Sequence, residues 1–313
     1  MTLFDTLTDS SALRISRFPD IDQFHSIERL AEAYSIPLDL RDFAAAFATV
    51  TLRSCSIFLQ HTFPRILQAQ YRASGTIIAF AMNEPASAIL NGAEIRSPSL
   101  LLICGPALCD VIEPQANLIA FVQFHALSDR GWPLVANAAQ SIDVNRQALQ
   151  ALQSITRDIL LLASNEHEQF AGAVDAMEES LLEAADHVLL AADWTSVASR
   201  PNLSGYLALV RKLDDLLLLN AEAVVYSADI ARQLGVSVRT VHNAVIAIRG
   251  MSLHRYCRLR RLWNVRRQLV LGSAIAKVKA VALANGFWHM GEFAQHYRAA
   301  FGETPQQTQQ RRY

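Results

Sequence analysis

The apolar positions of this chain change period along its length. Residues 47–60, 65–71, 76–82, 86–90, 100–104 and 118–125 are mostly short, rich in β-formers and bounded by Pro, Gly, Asn or Ser, the pattern of half-buried strands. Asn91-Gly92 falls between two of them, and this dipeptide accepts the positive φ angles of a tight type I′ hairpin. Short strands at regular spacing predict a small antiparallel barrel or sandwich. From about residue 141 the period lengthens: 143–162, 166–192 and 204–220 repeat Leu, Ile, Val and Ala every three or four positions with acidic residues between. That spacing predicts amphipathic helices, which either cap the strand domain or pair with a second subunit. Residues 1–20 are polar and without clear period, so they read as a loose lead-in; 21–34 carry helical spacing; 194–202, with Ser, Pro and Asn, read as a linker.

Beyond that linker the chain carries two helix-turn-helix patterns, at 227–250 and 276–300. In the first, Ser227 is placed to cap a helix over 228–234. Gly235 supplies the left-handed turn that suits glycine, and Ser237 caps a second helix to about Arg249, stopped by Gly250. Val241, Val245 and Ile248 share one face and predict core; Arg239, Thr240, His242 and Asn243 lie on the opposite face. Arg fits guanine O6/N7 and Asn fits adenine N6/N7, so these residue types suit reading of the major groove. A spacer helix over 253–270 follows, capped by Ser252 and carrying Arg255, Arg258, Arg260, Arg261, Arg266 and Arg267. Some of these are expected on phosphates; Arg261, between Leu259 and Leu262, is expected inside. In the second pattern Gly286 takes the turn and Phe287, Phe293, Tyr297 and Phe301 predict core aromatics. His289, Met290, Glu292, Gln295, His296 and Arg298 remain as candidate contacts on the second recognition helix.

Charge sharpens this reading. From Asn202 onward there are 16 Lys/Arg against 6 Asp/Glu, while the remainder holds 12 against 23, giving −1 overall. A basic unit joined to an acidic one points to a polyanion partner for one half. With 51% hydrophobic and 18% charged residues the chain can build about two cores and is not disordered. No stretch has the form of a signal peptide, and the longest uncharged apolar run, near 100–109, is too short for a bilayer. No membrane association is therefore expected. Cys55, Cys104, Cys109 and Cys257 have no CxxC spacing and read as reduced, mostly buried thiols of a cytoplasmic protein. His25, His61 and His125 are scattered with no His-x-His pair, which argues against a metal site. Nothing forms a phosphate loop, a nucleophile elbow or a zinc-held reactive cysteine, so an enzyme with a DNA-binding tail is disfavoured and no cofactor is implied. A DNA-independent protein that contacts acidic partners remains the other class.

The stretch 202–311 resembles the DNA-binding domain of the AraC/XylS family of bacterial transcription regulators. The residues that carry this are Ile230-Ala231, Gly235-Val236-Ser237-Val238-Arg239, Gly250-Met251-Ser252, Tyr256, Arg261-Leu262 and Gly286-Phe287…Phe293…Tyr297-Arg298…Phe301-Gly302-Glu303-Thr304-Pro305. The resemblance covers about one third of the chain. It implies seven helices in two subdomains, with base contacts at Arg239, His242 and Asn243 and at Met290, Glu292 and Gln295. Asn243 stands where Arg is frequent in the family, Val245 where a Phe packs, and Glu292 is acidic where phosphates lie. The strand-rich part resembles the family's cupin-like sensing domain. The expected fold is thus α+β, with a cupin-like antiparallel β-barrel and accessory helices before an all-α DNA-binding domain. The expected division is an effector-sensing domain at 1–140, a helical linker or dimerisation region at 141–201, and the DNA-binding domain at 202–313. The expected function is a transcription regulator, an activator, whose partners are double-stranded DNA, RNA polymerase, a small-molecule effector and a second copy of the chain. Arg53, Arg65 and Arg72 are expected on the surface of the sensing part, where an arginine can meet a carboxylate.

Overall fold

A computed structural model of the protein describes residues 3–24, 31–72, 75–83, 86–125, 130–165, 167–192, 194, 201–219, 226–272 and 277–311. A short helix, α1 (Leu3–Thr6), precedes β1 (Leu13–Phe18), β2 (Ala31–Pro37), β3 (Ala45–Thr51), β4 (Cys55–His61), β5 (Arg65–Tyr71) and β6 (Thr76–Ala81). Then come β7 (Ser87–Leu90), β8 (Ala93–Arg96), β9 (Ser99–Cys104), β10 (Ala107–Glu113), β11 (Leu118–Phe124) and β12 (Ala138–Asp143). They form a seven-stranded sheet, β1-β3-β4-β11-β6-β9-β12, and a five-stranded sheet, β2-β5-β10-β7-β8. Every pairing is antiparallel. The expected antiparallel domain is therefore present as two sheets rather than a closed barrel. Among the described residues no ladder joins them; a shared apolar cluster does, including Phe58, Ile77 and Phe121 from one sheet and Ala69, Tyr71 and Cys109 from the other.

Several segments differ from their sequence expectation. Residues 1–20 are not a loose lead-in. Leu13 and Phe18 are buried as β1 pairs along β3, and Ser10 Oγ donates to the Ala163 carbonyl at 2.6 Å. The helix expected at 21–34 gives way to β2 from Ala31, because that segment finds a seven-residue ladder on β5; residues 25–30, with His25, lie outside the described residues. The run 47–60 is a hairpin of β3 and β4, turned where Leu52 N donates to Cys55 O at 2.9 Å. Strands β10 and β12 carry polar residues at half-buried or buried positions, which mask the strand pattern, and β8 is only four residues long. Asn91-Gly92 does turn a hairpin, with φ of 50° and 84°, joining β7 to β8.

Helices α2 (Arg146–Asn165) and α3 (His167–Leu190) pack on each other and on the seven-stranded sheet, sharing one core with Leu13, Ile57, Leu102 and Ile142. These helices cover one face of the strand domain within the chain. The described part of the expected linker is Trp194 and the first turn of α4 (Pro201–Leu219). Then follow α5 (Ser227–Leu234), α6 (Val238–Arg249), α7 (Leu253–Leu271), α8 (Val278–Ala284), α9 (Met290–Phe301) and α10 (Pro305–Gln310). Their core contains Val210 and Leu213 of α4 but also Phe18, Ile36, Ile66 and Ile112 from the strands and Phe63 from the β4–β5 turn. The two halves of the chain thus share a continuous apolar interior.

Through that interior runs a buried ionic network. Arg249, the last residue of α6, donates from Nη2 to Asp110 Oδ1 on β10 at 2.6 Å and to Asp214 Oδ2 on α4 at 2.7 Å. Arg211 Nε binds the other Asp110 oxygen at 2.8 Å, and Gln68 Nε2 on β5 reaches Asp214 at 2.6 Å. Tyr256 OH donates to Asp214, and Arg260 Nη1 lies 3.2 Å from it, with its guanidinium 5.6 Å from the Tyr34 ring. A second cluster lies further along α7. Arg266 binds Asp22 at 2.6 Å and Glu303, while Arg311 binds Asp20 and Glu303. Arg260 and Arg266 are therefore withdrawn from the expected phosphate-facing set. Both are buried against carboxylates.

Removing one partner strands charges in a dry interior, so Asp110→Ala should cost about 3–5 kcal/mol in denaturant unfolding. Burial pushes the Asp110 carboxyl up, but Arg249 and Arg211 outweigh it and hold it below its ordinary 3.8. Its stabilisation is then full above that value and is lost as pH falls through the lowered one. Asp110→Asn should flatten this acid limb of a stability–pH curve. At the β7–β8 turn a Cβ on Gly92 would sit 2.7 Å from Ile248 Cδ1 and 2.9 Å from Leu203 Cδ2, at φ +84°. Gly92→Ala should therefore destabilise by about 1–3 kcal/mol, read as a lowered unfolding midpoint.

Candidate nucleic-acid interface

The first helix-turn-helix unit is α5, a turn at Gly235, and α6. Helix α5 begins at Ser227 itself, with Tyr226 in the cap position and no side-chain cap bond, so Ser227 is not the N-cap. Gly235 closes α5 at φ 69°, its amide bonded to Arg232 O at 3.2 Å. Ser237 caps α6 by accepting from Thr240 N at 3.1 Å, and Gly250 ends it at φ 64°. Ala231 is buried where α5 meets α6, and Val241, Val245 and Ile248 are buried in the core. Arg239 and Asn243 are exposed, and Thr240 and His242 half-buried. Arg239, His242 and Asn243 are spaced three and four apart, so they share one face of α6. Ile246 continues that face and is 54% exposed.

Spacer α7 starts from Ser252, whose Oγ accepts from Arg255 N at 3.3 Å. Its 19 residues span roughly 28 Å. Arg255 and Arg267 face solvent and Arg258 is half-buried. Arg261 takes the internal role expected of it: its guanidinium lies 5.1 Å from the Phe287 ring and its Nη1 donates to Gly286 O at 3.3 Å.

The second unit is described from Lys277; its expected start at Ala276 lies outside the described residues. Helix α8 closes at a turn in which Gly286 has φ 77° and Phe287 N donates to Ala282 O at 3.0 Å. Asn285, fully buried, pins this turn. It accepts from Asn264 Nδ2 at 2.7 Å and donates to Gln268 Oε1 and Val281 O. Phe287, Phe293, Tyr297 and Phe301 form the expected aromatic core. Helix α9 starts one residue later than expected, after His289, whose side chain makes no cap bond. His289, Glu292, Gln295 and Arg298 are exposed and Met290 is half-buried. His296 sits 3.4 Å from Arg258 Nη1, and burial together with that cation lowers its pKa, favouring a neutral ring. Trp288, absent from the sequence-derived candidates, is 68% exposed immediately before α9. Its neighbour Phe287 belongs to the core, and only the tertiary placement separates the two aromatic rings.

A second candidate site is a cavity of about 100 Å³ between the sheets. Apolar walls from Leu67, Val111 and Phe121 surround a polar end of Arg65, Glu113 and Asn117. Arg65 is not on the surface as expected but buried, its Nε 2.6 Å from Glu113 Oε2. Glu113 also accepts from Thr62 Oγ1 at 2.8 Å and Asn117 Nδ2 at 3.2 Å, while the buried Asn117 Oδ1 has no hydrogen-bond partner. Arg53 and Arg72 are exposed and paired with Asp175 and Glu32. The four cysteines are unpaired, and burial raises the Cys55 and Cys109 thiols to about 12. Among the described residues no three His, Cys, Asp or Glu side chains are placed to hold a metal ion, and no helix is long and apolar enough to cross a membrane.

Residues 230–311 match the family described as Helix-turn-helix domain. The chain is 38% identical over 73 residues to the XylDLEGF operon transcriptional activator of Pseudomonas putida, covering 23% of each protein. It is 30% identical over 132 residues to a probable thc operon regulatory protein of Rhodococcus erythropolis, covering 42% of this chain and 38% of that protein. It therefore spans less than two fifths of the length of either curated relative. A solved structure of a probable AraC family transcriptional regulator from Rhodopseudomonas palustris shares 31% identity, covering 34% of this chain and 99% of that one, with a TM-score of 0.32. The carboxy-terminal third of this chain, with its two helix-turn-helix units on one spacer, belongs to the AraC/XylS family of regulator domains.

Proposed function

We propose that the protein is a sequence-specific DNA-binding transcription regulator, and an activator in keeping with the described role of its Pseudomonas putida relative. The observation that carries this reading is the pair of exposed recognition faces, on α6 and α9, joined by one rigid spacer helix. Arg239, Thr240, His242 and Asn243 on the first, and His289, Met290, Glu292, Gln295 and Arg298 on the second, are the contacts assigned to DNA. Arg255 and Arg267 supply phosphate contacts. RNA polymerase is the partner implied by activation. In this reading residues 202–313 bind DNA, 1–140 sense an effector, and 141–201 form a helical linker or dimerisation region.

Footprinting of the full chain on its own chromosomal DNA, with affinity falling steeply as salt rises, is the expected result; a salt-independent or absent footprint removes the reading. Arg239→Ala should cost about 1–3 kcal/mol on the preferred site and relax one position, while Arg255→Ala should weaken all sequences alike and flatten the salt slope by about one. Equal loss for Arg239→Ala on specific and scrambled duplexes would withdraw its base-reading role.

The effector reading is favoured by one specific arrangement. Strands β5 and β10 form the wall between the cavity and the helical domain. Leu67, Val111 and Glu113 line the cavity, while Gln68 and Asp110 on the other faces of the same strands hold Asp214 and Arg249. A small, mainly apolar ligand with a hydrogen-bond donor for Asn117 Oδ1 would press on this wall. A thermal-shift screen of such compounds should raise the midpoint of the wild type and leave Val111→Trp unmoved; no response in any class would withdraw the sensing role.

A further inference from the structure

We propose that Trp288 is a specificity-determining contact of the second unit, packing its indole ring on the 5-methyl group of a thymine in the major groove. This rests on the DNA-binding reading above. An apolar ring that is 68% exposed forgoes burial, and a protein that gains nothing from such exposure can let the ring fold back. Here the backbone that carries the ring is fixed. Phe287, the preceding residue, is buried and held by the Arg261 guanidinium; Gly286 O is held by Arg261 Nη1; Asn285 is fixed by Asn264, Gln268 and Val281. The following residue, His289, holds the N-cap position of α9. Trp288 is therefore carried on backbone fixed on both sides, and little further backbone ordering is needed when a partner covers the ring.

The surroundings identify that partner. Around the ring's subdomain the exposed charges Lys277, Lys279 and Arg298 are cationic, with Glu292 the acidic exception on α9. The ring sits at the entrance to the helix whose Met290 and Gln295 are assigned to bases. Of the groups on a major-groove floor, only the thymine methyl offers an apolar surface, and apolar side chains meet it there. Ile246 provides a similar exposed apolar position on α6, beside its polar candidates.

The test is selection from a random duplex pool with full-length wild type, Trp288→Ala and Trp288→Phe, followed by binding to the selected site with its thymines replaced one at a time by uracil, which lacks the methyl. Wild type should lose about fourfold at one thymine of the second half-site, the value of one buried methyl group. Trp288→Ala should bind the thymine and uracil duplexes equally and select a motif degenerate at that position; Trp288→Phe should retain part of the preference. An unchanged motif and an unchanged thymine-to-uracil ratio in Trp288→Ala overturn the assignment and leave the ring to a protein surface. A wild type that enriches no sequence at all removes the DNA-binding reading, and this contact with it.

Discussion

Arg249 is the side chain on which the arrangement of the two halves depends. It ends the first recognition helix, it is fully buried, and its Nη2 bridges a carboxylate from a strand to a carboxylate from α4. Desolvating a guanidinium and two carboxylates is costly, and their attraction roughly offsets that cost only when the geometry is right. What such a site provides is definition. A sliding or rotated helical domain would carry Arg249 and Arg211 away from Asp110 and leave that carboxylate unpaired in the interior, which favours one position of α6 relative to β10. The Arg266 cluster does the same at the far end of α7, with Asp22, Glu303 and Thr308. The spacer helix is thereby held at two points, with its arginines divided between an inner, ion-paired side and an outer, solvent-facing one.

This division changes the meaning of the charge asymmetry. The basic excess of the carboxy-terminal part is partly internal: Arg249, Arg260 and Arg266 neutralise aspartates and a glutamate inside the molecule. The electrostatic surface left for a polyanion is smaller than the composition implies, and it is concentrated at Arg239, Arg255, Arg267, Lys277, Lys279 and Arg298. The acidic character of the strand domain has a matching internal use, since Asp20, Asp22 and Asp110 are the partners of those arginines.

The strand period of two links the two candidate sites. Successive residues of β5 and β10 point to opposite faces, so one face can close a cavity while the other grips the helical domain. Arg65 and Glu113 form a charge pair on the inner face, and Gln68 and Asp110 a polar pair on the outer one, across the same register. A change in cavity occupancy has no layer to cross other than this pair of strands.

Local sequence determined the elements whose stabilising interactions lie within a few residues. Gly235, Ser237, Gly250 and Ser252 set helix limits through their own backbone preferences and caps, and the Asn91-Gly92 turn is fixed by φ. The buried faces of α6 and α9 followed from helical spacing alone. Tertiary structure decided whatever needed a distant partner. Residues 31–37 became a strand because β5 was available as a neighbour, and β10 escaped notice because Asp110 and Glu113 look like solvated positions until Arg249 and Arg65 are seen beside them. The same holds for the arginines of α7 and for the neighbours Phe287 and Trp288: residue type and spacing do not say which is buried. Burial of a charge or an aromatic ring is settled by what meets it from elsewhere in the chain, and that is a property of three-dimensional packing.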